Sequence, residues 1–552
     1  MADVTRRQAL AALGCFGAGF GLSGCAAPIV PLCPGDPTIS DQTTPLTIDV
    51  HSHVFNGSDL QVAGFYQYVV ARKVEKQIIA VILQMLAQDF APTGIEELAA
   101  LMEVEAALRG CNVQTYIQVF SSHAQDRYDR FLSALKAANE KVRAQRFAQA
   151  STSRRLDNFI SNLPSDYREY RRNRARLRLT DPTLAGEFAF VLRNFQYRYV
   201  NVYDYLLDYS TGRARKIDIM VAHLVDFDWP LGGGNTTTTH LIDQFRVMDK
   251  ISQITSGRVL CFAPFDPFKE VAYQLKLTTE SSFQNVQTAI LHHGFVGVKI
   301  YPPMGFAPFG NGTLRKDLWD QTWIPTSLHG RDLGPLLDQA LMKLYTWCVD
   351  NGVPIMGHSS RTSGPSDEFQ NLAGAQYWGP IPNGLAGIRI DYGHFGLVDL
   401  TTKDQECILA SYMDEGNGSF LYADSGYFAE VLSQEPSLQG FMASLYRETH
   451  LKGDAALAQR MMYGTDWEMI VREGGTSANY LTKFEEMYAA LDHYQHMGAK
   501  GKLSDRFFGV NAATYLGLGP NQLTRKRLDR YYSVSSKPAW MAKVDNLPAA
   551  IS

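Results

Sequence analysis

The chain lacks the marks of several common protein classes. Its seven cysteines, Cys15, Cys25, Cys33, Cys111, Cys261, Cys348 and Cys407, include no CxxC pair. That excludes a zinc ribbon and a dense disulfide framework, and leaves buried free thiols as the expectation for those beyond the N-terminal segment. Neither sign of charge is in excess: 52 Lys and Arg against 56 Asp and Glu leave a net charge of −4. No basic field therefore argues for a nucleic-acid partner. Beyond the first thirty residues no apolar run approaches the roughly 20 residues that span a bilayer. Internal repeats and low-complexity tracts are absent. So is a glycine-rich phosphate turn: "LGGGN" at 231–235 is not the dinucleotide fingerprint and reads as a flexible loop.

What is there fits a globular protein, with 45% hydrophobic and 20% charged residues. A length of 552 residues exceeds one ordinary domain, although a single α/β barrel with insertions reaches beyond about 400. The opening stretch stands apart. Arg6-Arg7, a mild Ala/Gly/Leu-rich run and Leu22-Ser23-Gly24-Cys25 form an n-region, an h-region and a processing site. Paired arginines before a weakly apolar segment resemble a twin-arginine export signal, with Ala9 where such signals often carry Phe. "LSGC" resembles a lipobox, whose cysteine would be lipidated. The expectation is an exported protein of a bacterial cell envelope, periplasmic or membrane-anchored through Cys25. A plain cleaved signal is the alternative.

Residues 1–25 are set aside as this signal, and 26–45, rich in Pro and Thr, read as a linker. Residues 58–215 read as a helical insertion: "GIEELAALMEVEAALRG" and "DRYDRFLSALKAANEKVRAQRFAQA" have helical apolar spacing. The Arg-rich "YREYRRNRARLRLTDP" reads as a solvated helix face. From about 216 the texture changes to short β-branched runs alternating with helical stretches. "KIDIMVAHLVDF", "RVLCFAPFDP", "FVGVKIYPPM", "VPIMGHSS", "IRIDYGHFG", "SFLYADSGY" and "RMMYGTDWEM" join "LTIDVHSHVF" to give eight strand candidates. Eight strand–helix units predict an α/β fold, a (β/α)8 TIM barrel formed by 46–57 and 216–518, with the insertion after strand 1 and a C-terminal tail at 519–552. An insertion in that place emerges on the face that holds the active site, where it can roof it.

Polar residues gather at the C-terminal ends of these runs: His51, His53, His223, Asp226, Asp266, Lys299, His358, His394, Asp424 and Asp466. Zinc-like ions take imidazole and carboxylate ligands, usually three from the protein with a water in the fourth position of a catalytic site. HxH at the end of strand 1, with His at strands 5 and 6 and Asp at strand 8, suits that chemistry. Each residue has a plainer alternative. His51 and His53 could be strand-end polar residues, His358 a core histidine, His394 a structural one, and Asp466 a helix cap.

"IDVHSH", "GVKIYPP", "IMGHSS", "IDYGHFG", "YGTDWE" and, at 507–518, "FFGVNAATYLGL" together resemble the amidohydrolase superfamily. The resemblance is to its branch of metal-dependent hydrolases and non-oxidative decarboxylases, and covers about 46–57 and 216–518. It implies His51, His53 and His358 as imidazole ligands. Asp466 would be a ligand, the general base, or both. His394 would lie beside the metal, orienting or protonating the substrate. It also implies one divalent ion per chain, most often zinc. A second metal enters only if Lys299 is carboxylated; otherwise Lys299 holds a substrate carboxylate or pairs with Asp466. Arg361, just after His358, could clamp an anionic substrate, although a surface arginine is the plainer reading. The expected activity is hydrolysis of a small molecule by a metal-activated water. A lyase decarboxylating an aromatic or unsaturated acid would use the same ligands. A non-catalytic membrane-tethered binding protein on an inherited barrel is the reading from another class. Substrate and oligomeric state are not legible.

Overall fold

The short β-branched runs do pair with one another. In the computed structural model, strands β1 (Ile48–Ser52), β2 (Ile219–His223), β3 (Val259–Pro264), β4 (Gly297–Ile300), β5 (Ile355–His358), β6 (Arg389–Gly393), β7 (Phe420–Asp424) and β8 (Met461–Met462) lie in sequence order in one sheet. All seven neighbour pairs are parallel. β8 returns to β1 through a parallel bridge between Ser52 and Trp467 and the bond from Val50 N–H to Tyr463 O at 3.0 Å. This is a TIM barrel, as expected. The structure describes residues 29–30, 36 and 42–547 except 71–84, 87–89, 145–149, 181, 211–213, 363, 398–399, 401–403, 416–419, 450–452, 454–455, 468, 471–478, 495–498 and 533–536. The segment 1–25 expected to be an export signal, with Cys15 and Cys25, as well as Cys33 and most of residues 69–88, lies outside the described residues.

Strand alternation sorts the side chains into two layers. Ile48, Val50, Val221, Phe262, Met356 and Tyr422 belong to a cluster that fills the barrel and runs down into its lower end. Their neighbours, such as Met220, Cys261, Val298 and Leu421, join a larger outer cluster under the helices. By the same parity His223, Lys299, His358 and Asp424 point inward at the upper ends of their strands. Strand β1 departs from this rule. Asp49 pairs with Met220 and Ser52 with Ala222, three steps on β1 against two on β2. This extra residue re-aims the strand end. Val50 faces the lumen, and His51, directly after it, does so too.

Between β1 and β2 the described residues build six helices of at least twelve residues: α1 (Gly94–Arg109), α2 (Val113–Ala144), α3 (Ala150–Ser161), α4 (Tyr167–Thr180), α5 (Pro182–Asn194) and α6 (Arg198–Ser210). Thr93 caps α1 in a capping box with Glu96. In the Arg-rich α4, Arg168 and Arg172 are exposed. Apolar residues of α1–α6 belong to the same cluster as the outer face of the barrel strands. Past the last barrel segment, α7 (Leu523–Tyr531) and α8 (Trp540–Asp545) close the lower end, with Leu528, Trp540, Met541 and Val544 buried against it. Within the stretch read as a linker, Ile29 is also buried there and Val30 in the outer cluster. Cysteine differs from expectation in part: Cys261 and Cys348 are buried, whereas Cys111 and Cys407 are exposed. Cys111 sits in the turn between α1 and α2, which has no interior to enter. No helix among the described residues is long and apolar enough to cross a membrane.

Candidate metal centre

At the mouth of the barrel, His51, His53 and Asp466 offer ligand atoms that all lie within 4.8 Å of one another. Asp466 Oδ1 is 3.3 Å from His53 Nε2 and 3.6 Å from His51 Nε2. The partners of the other ring nitrogens fix what these two atoms are. Both oxygens of Asp424 face His51 Nδ1, at 3.0 and 2.9 Å. A carboxylate can only accept, so Nδ1 carries the proton and Nε2 a lone pair. His53 Nδ1 donates to the His223 carbonyl at 3.0 Å, which likewise leaves a lone pair on its Nε2. Burial, with His394 and Lys299 nearby, holds His51 well below the usual imidazole range, so it stays neutral. Burial alone would raise Asp466. His53, 3.3 Å away, and the neighbouring His51 and His394 outweigh it and hold the carboxyl well below the usual range.

Two lone pairs and a carboxylate oxygen thus converge. A proton on His53 Nε2 would satisfy that histidine and Asp466. It would do nothing for His51 Nε2, which is buried without a hydrogen-bond partner. A divalent cation satisfies all three, and the set matches the donor types and number of a catalytic zinc-like site. The residues present therefore fit the ion that the sequence implies.

The remaining expected residues stand around this group. His394 packs on His51, ring centroids 4.6 Å apart, and His358 packs on His394 at 4.4 Å. His394 Nδ1 donates to Gly426 O at 2.8 Å, so its Nε2 accepts from His358 Nδ1 at 3.0 Å. His358 Nε2 is left as an acceptor, met by the Ser360 hydroxyl at 3.3 Å. His358 thus presents Nε2 as an acceptor but stands one ring beyond the compact group. Burial, then His394 and Lys299, lower its pKa well below the usual value.

Lys299 makes no ion pair with Asp466, or with any carboxylate among the described residues. Its Nζ lies 2.6 Å from Met356 Sδ and 5.8 Å from the Tyr301 ring centroid. Burial pulls its pKa down to about 8, against the pull of Asp424, Asp466 and Asp391. Beside it opens a pocket lined by Asp226, Phe227, Asp266, Tyr301 and Phe306. Arg361 is exposed and lines no part of that pocket.

Two residues given no role from sequence hold the group in place. Asp424 fixes His51 and also accepts from the backbone N–H groups of His394 and Gly426, at 3.1 and 2.7 Å. His223 donates Nε2–H to the Val50 carbonyl at 2.7 Å, which secures the bulged strand end. Their inward parity on β7 and β2 was the available signal. Backbone strain gathers here as well. Of the seven non-glycine residues with positive φ among the described residues, His394, Phe395, Tyr427 and Asp466 lie at this mouth.

No family model matches the chain, and no curated protein matches it. Among solved structures it is similar to an uncharacterized TIM-barrel protein from Bordetella bronchiseptica, with 13% identity and a TM-score of 0.31 over 54% of this chain and 78% of that one. It is also similar to a probable 2-pyrone-4,6-dicarboxylic acid hydrolase from Acinetobacter baumannii with citric acid bound. There the identity is 15% and the TM-score 0.31, over 55% of this chain and 84% of that one. Both likenesses are slight, and neither carries the chemistry of the site.

Proposed function

We propose that the protein is a metal-dependent hydrolase of a small molecule, with His51, His53 and Asp466 as ligands of one divalent ion, most often zinc. The observation that carries this reading is the buried lone pair of His51 Nε2, which has no partner and faces Asp466 beside a second imidazole. An ion bound there supplies a polarised carbonyl and a water acidified from a pKa of 15.7 to about 7. The chain does the rest. Asp466, kept ionised, takes the proton of the attacking water and returns it to the leaving group. His394 keeps His358 Nε2 an acceptor, met here by the Ser360 hydroxyl, and that nitrogen would accept from a substrate donor or help hold the ion. Tyr301, Phe227 and Phe306 line the pocket beside Lys299.

Metal analysis of the purified chain, paired with a hydrolysis screen over esters, lactones and amides, tests this reading. The expected result is about one ion per chain, lost in His51→Ala and Asp466→Ala together with turnover. Full turnover by those variants in metal-free buffer would overturn it.

Lys299 favours a second reading. A buried ammonium that makes no ion pair among the described residues suits an acid as substrate, and the same site could then serve non-oxidative decarboxylation. Release of carbon dioxide from aromatic or unsaturated acids would select it over hydrolysis. In either reading the chain works in the cell envelope, because Arg6-Arg7 and Cys25 have the pattern of an exported, lipidated segment. Loss of the protein from the membrane fraction on Cys25→Ala tests the anchor.

A further inference from the structure

The insertion contributes more than a roof. Along α6, Asn201, Tyr205 and Tyr209 recur every four residues and so share one face. That face is turned to the loop that follows β8. Asn201 Oδ1 accepts from Trp467 Nε1 at 3.0 Å. The rings of Tyr205 and Tyr209 meet the Trp467 ring edge-on, at 5.1 and 5.6 Å between centroids. Tyr205 Oη donates to Asp49 Oδ2 at 2.6 Å, and that same oxygen accepts from Thr465 Oγ1 at 2.6 Å. Asp466 lies between the two residues so held, and its backbone is left-handed, with φ of 52°. A residue with a side chain adopts that conformation only where its surroundings impose it. Part of the restraint comes from β1, whose His51 O accepts from Asp466 N–H at 2.7 Å and Thr465 N–H at 3.2 Å, and from His53 just past it, whose N–H donates to Trp467 O. Helix α6 adds side-chain contacts on both flanks.

We propose that Tyr205 and Asn201 are positioning residues of the metal centre, which hold the Thr465–Trp467 turn so that the Asp466 carboxylate meets His51 and His53. The helical insertion, for which the sequence suggested no counterpart, is then a built part of the site. This inference rests on the reading of His51, His53 and Asp466 as a cation site.

Titration of the full chain with Co2+, followed by its visible ligand-field absorption and by melting temperature, tests it. Tyr205→Phe removes one hydroxyl and Asn201→Ala one acceptor. Each is expected to weaken Co2+ binding about tenfold and to shift the absorption bands. Asn201→Asp keeps an acceptor for Trp467 Nε1 and gives up only an Nδ2 that has no partner. It is expected to restore both affinity and bands. Tyr203→Ala serves as the packing control. Its ring lies on the other side of α6, 4.1 Å from Phe120 between centroids. It is expected to lower the melting temperature and leave the bands unmoved. Three outcomes overturn the proposal. If the unmodified chain binds no Co2+, or His53→Ala binds it as well, the cation reading fails and this inference with it. If the unmodified chain binds, His53→Ala does not, and Tyr205→Phe and Asn201→Ala match the unmodified chain, the positioning role alone fails. If Tyr203→Ala moves the bands as far as they do, the effect is packing.

Discussion

At the scale of single residues, the site is a set of tautomers, each fixed from behind. His51 depends on Asp424, His53 on the His223 carbonyl, and His358 on His394, which itself rests on Gly426. Asp424→Asn therefore tests the most exacting link. Its amide can turn an N–H toward His51 Nδ1 and favour the tautomer whose Nε2 carries the proton, closing the ligand position. Zinc affinity, read by competition with a chelator, should fall about 10- to 100-fold with little change in fold. Lys299 makes a second prediction, about stability. Its pKa drops from 10.5 to about 8 in the folded state, chiefly through burial. A base with a lowered folded-state pKa costs stability in full below that pKa, and the cost is gone above the unfolded value. The window is thus pH 8 to 10.5, and the cost at neutral pH is about 3 kcal/mol. Lys299→Met should be more stable than the unmodified chain to urea at pH 7. Its advantage should shrink as pH rises toward 10.

At the scale of elements, the strands were legible and the turn of one strand was not. All eight β-branched runs become barrel strands, because short apolar runs between helical stretches have few other ways to bury both faces. Inward parity then delivers Lys299, His358 and Asp424 without further information. For β1, alternation alone would send His51 outward, since Val50 next to it faces the lumen. The bulge that corrects this is a matter of register with β2, which no single run encodes. Two glycines next to His51 belong to the same arrangement. A Cβ on Gly426 would lie 2.4 Å from His51 Nδ1 and 2.9 Å from Asp424 Oδ1, and one on Gly464 would lie 2.8 Å from His51 Cβ. The glycines in "ADSGY" and "YGTD" are therefore close-approach positions. Gly426→Ala must push the His51–Asp424 pair apart. It should lower zinc affinity as Asp424→Asn does, while far-ultraviolet circular dichroism stays unchanged.

At the scale of the whole molecule, the question is whether insertion and barrel act as one body. Helical spacing announced the insertion but not what it touches, because its partners are distant in sequence: Asn201 with Trp467, Tyr205 with Asp49. The joint is ionic as well as apolar. Arg198, at the start of α6, is fully buried and bonds Glu97 of α1 at 2.9 Å and Asp59, just past β1, at 3.0 Å. Asn56 Nδ2 adds a bond to Glu97 at 3.0 Å. First helix, last helix and strand end thus share one charge cluster, set within an apolar core that runs without a break from α1–α6 to the barrel. Such a joint predicts a single calorimetric unfolding transition for the unmodified chain. Arg198→Met fills similar space but leaves two carboxyl groups buried without their cation, at a cost of about 3–5 kcal/mol. Because Arg198 opens the helix that carries Asn201 and Tyr205, loosening it should reach the proposed metal centre too. The variant should melt at lower temperature and bind zinc more weakly. Lower stability with unchanged zinc affinity would mean that the insertion is fastened to the barrel at this joint without acting on the site through it.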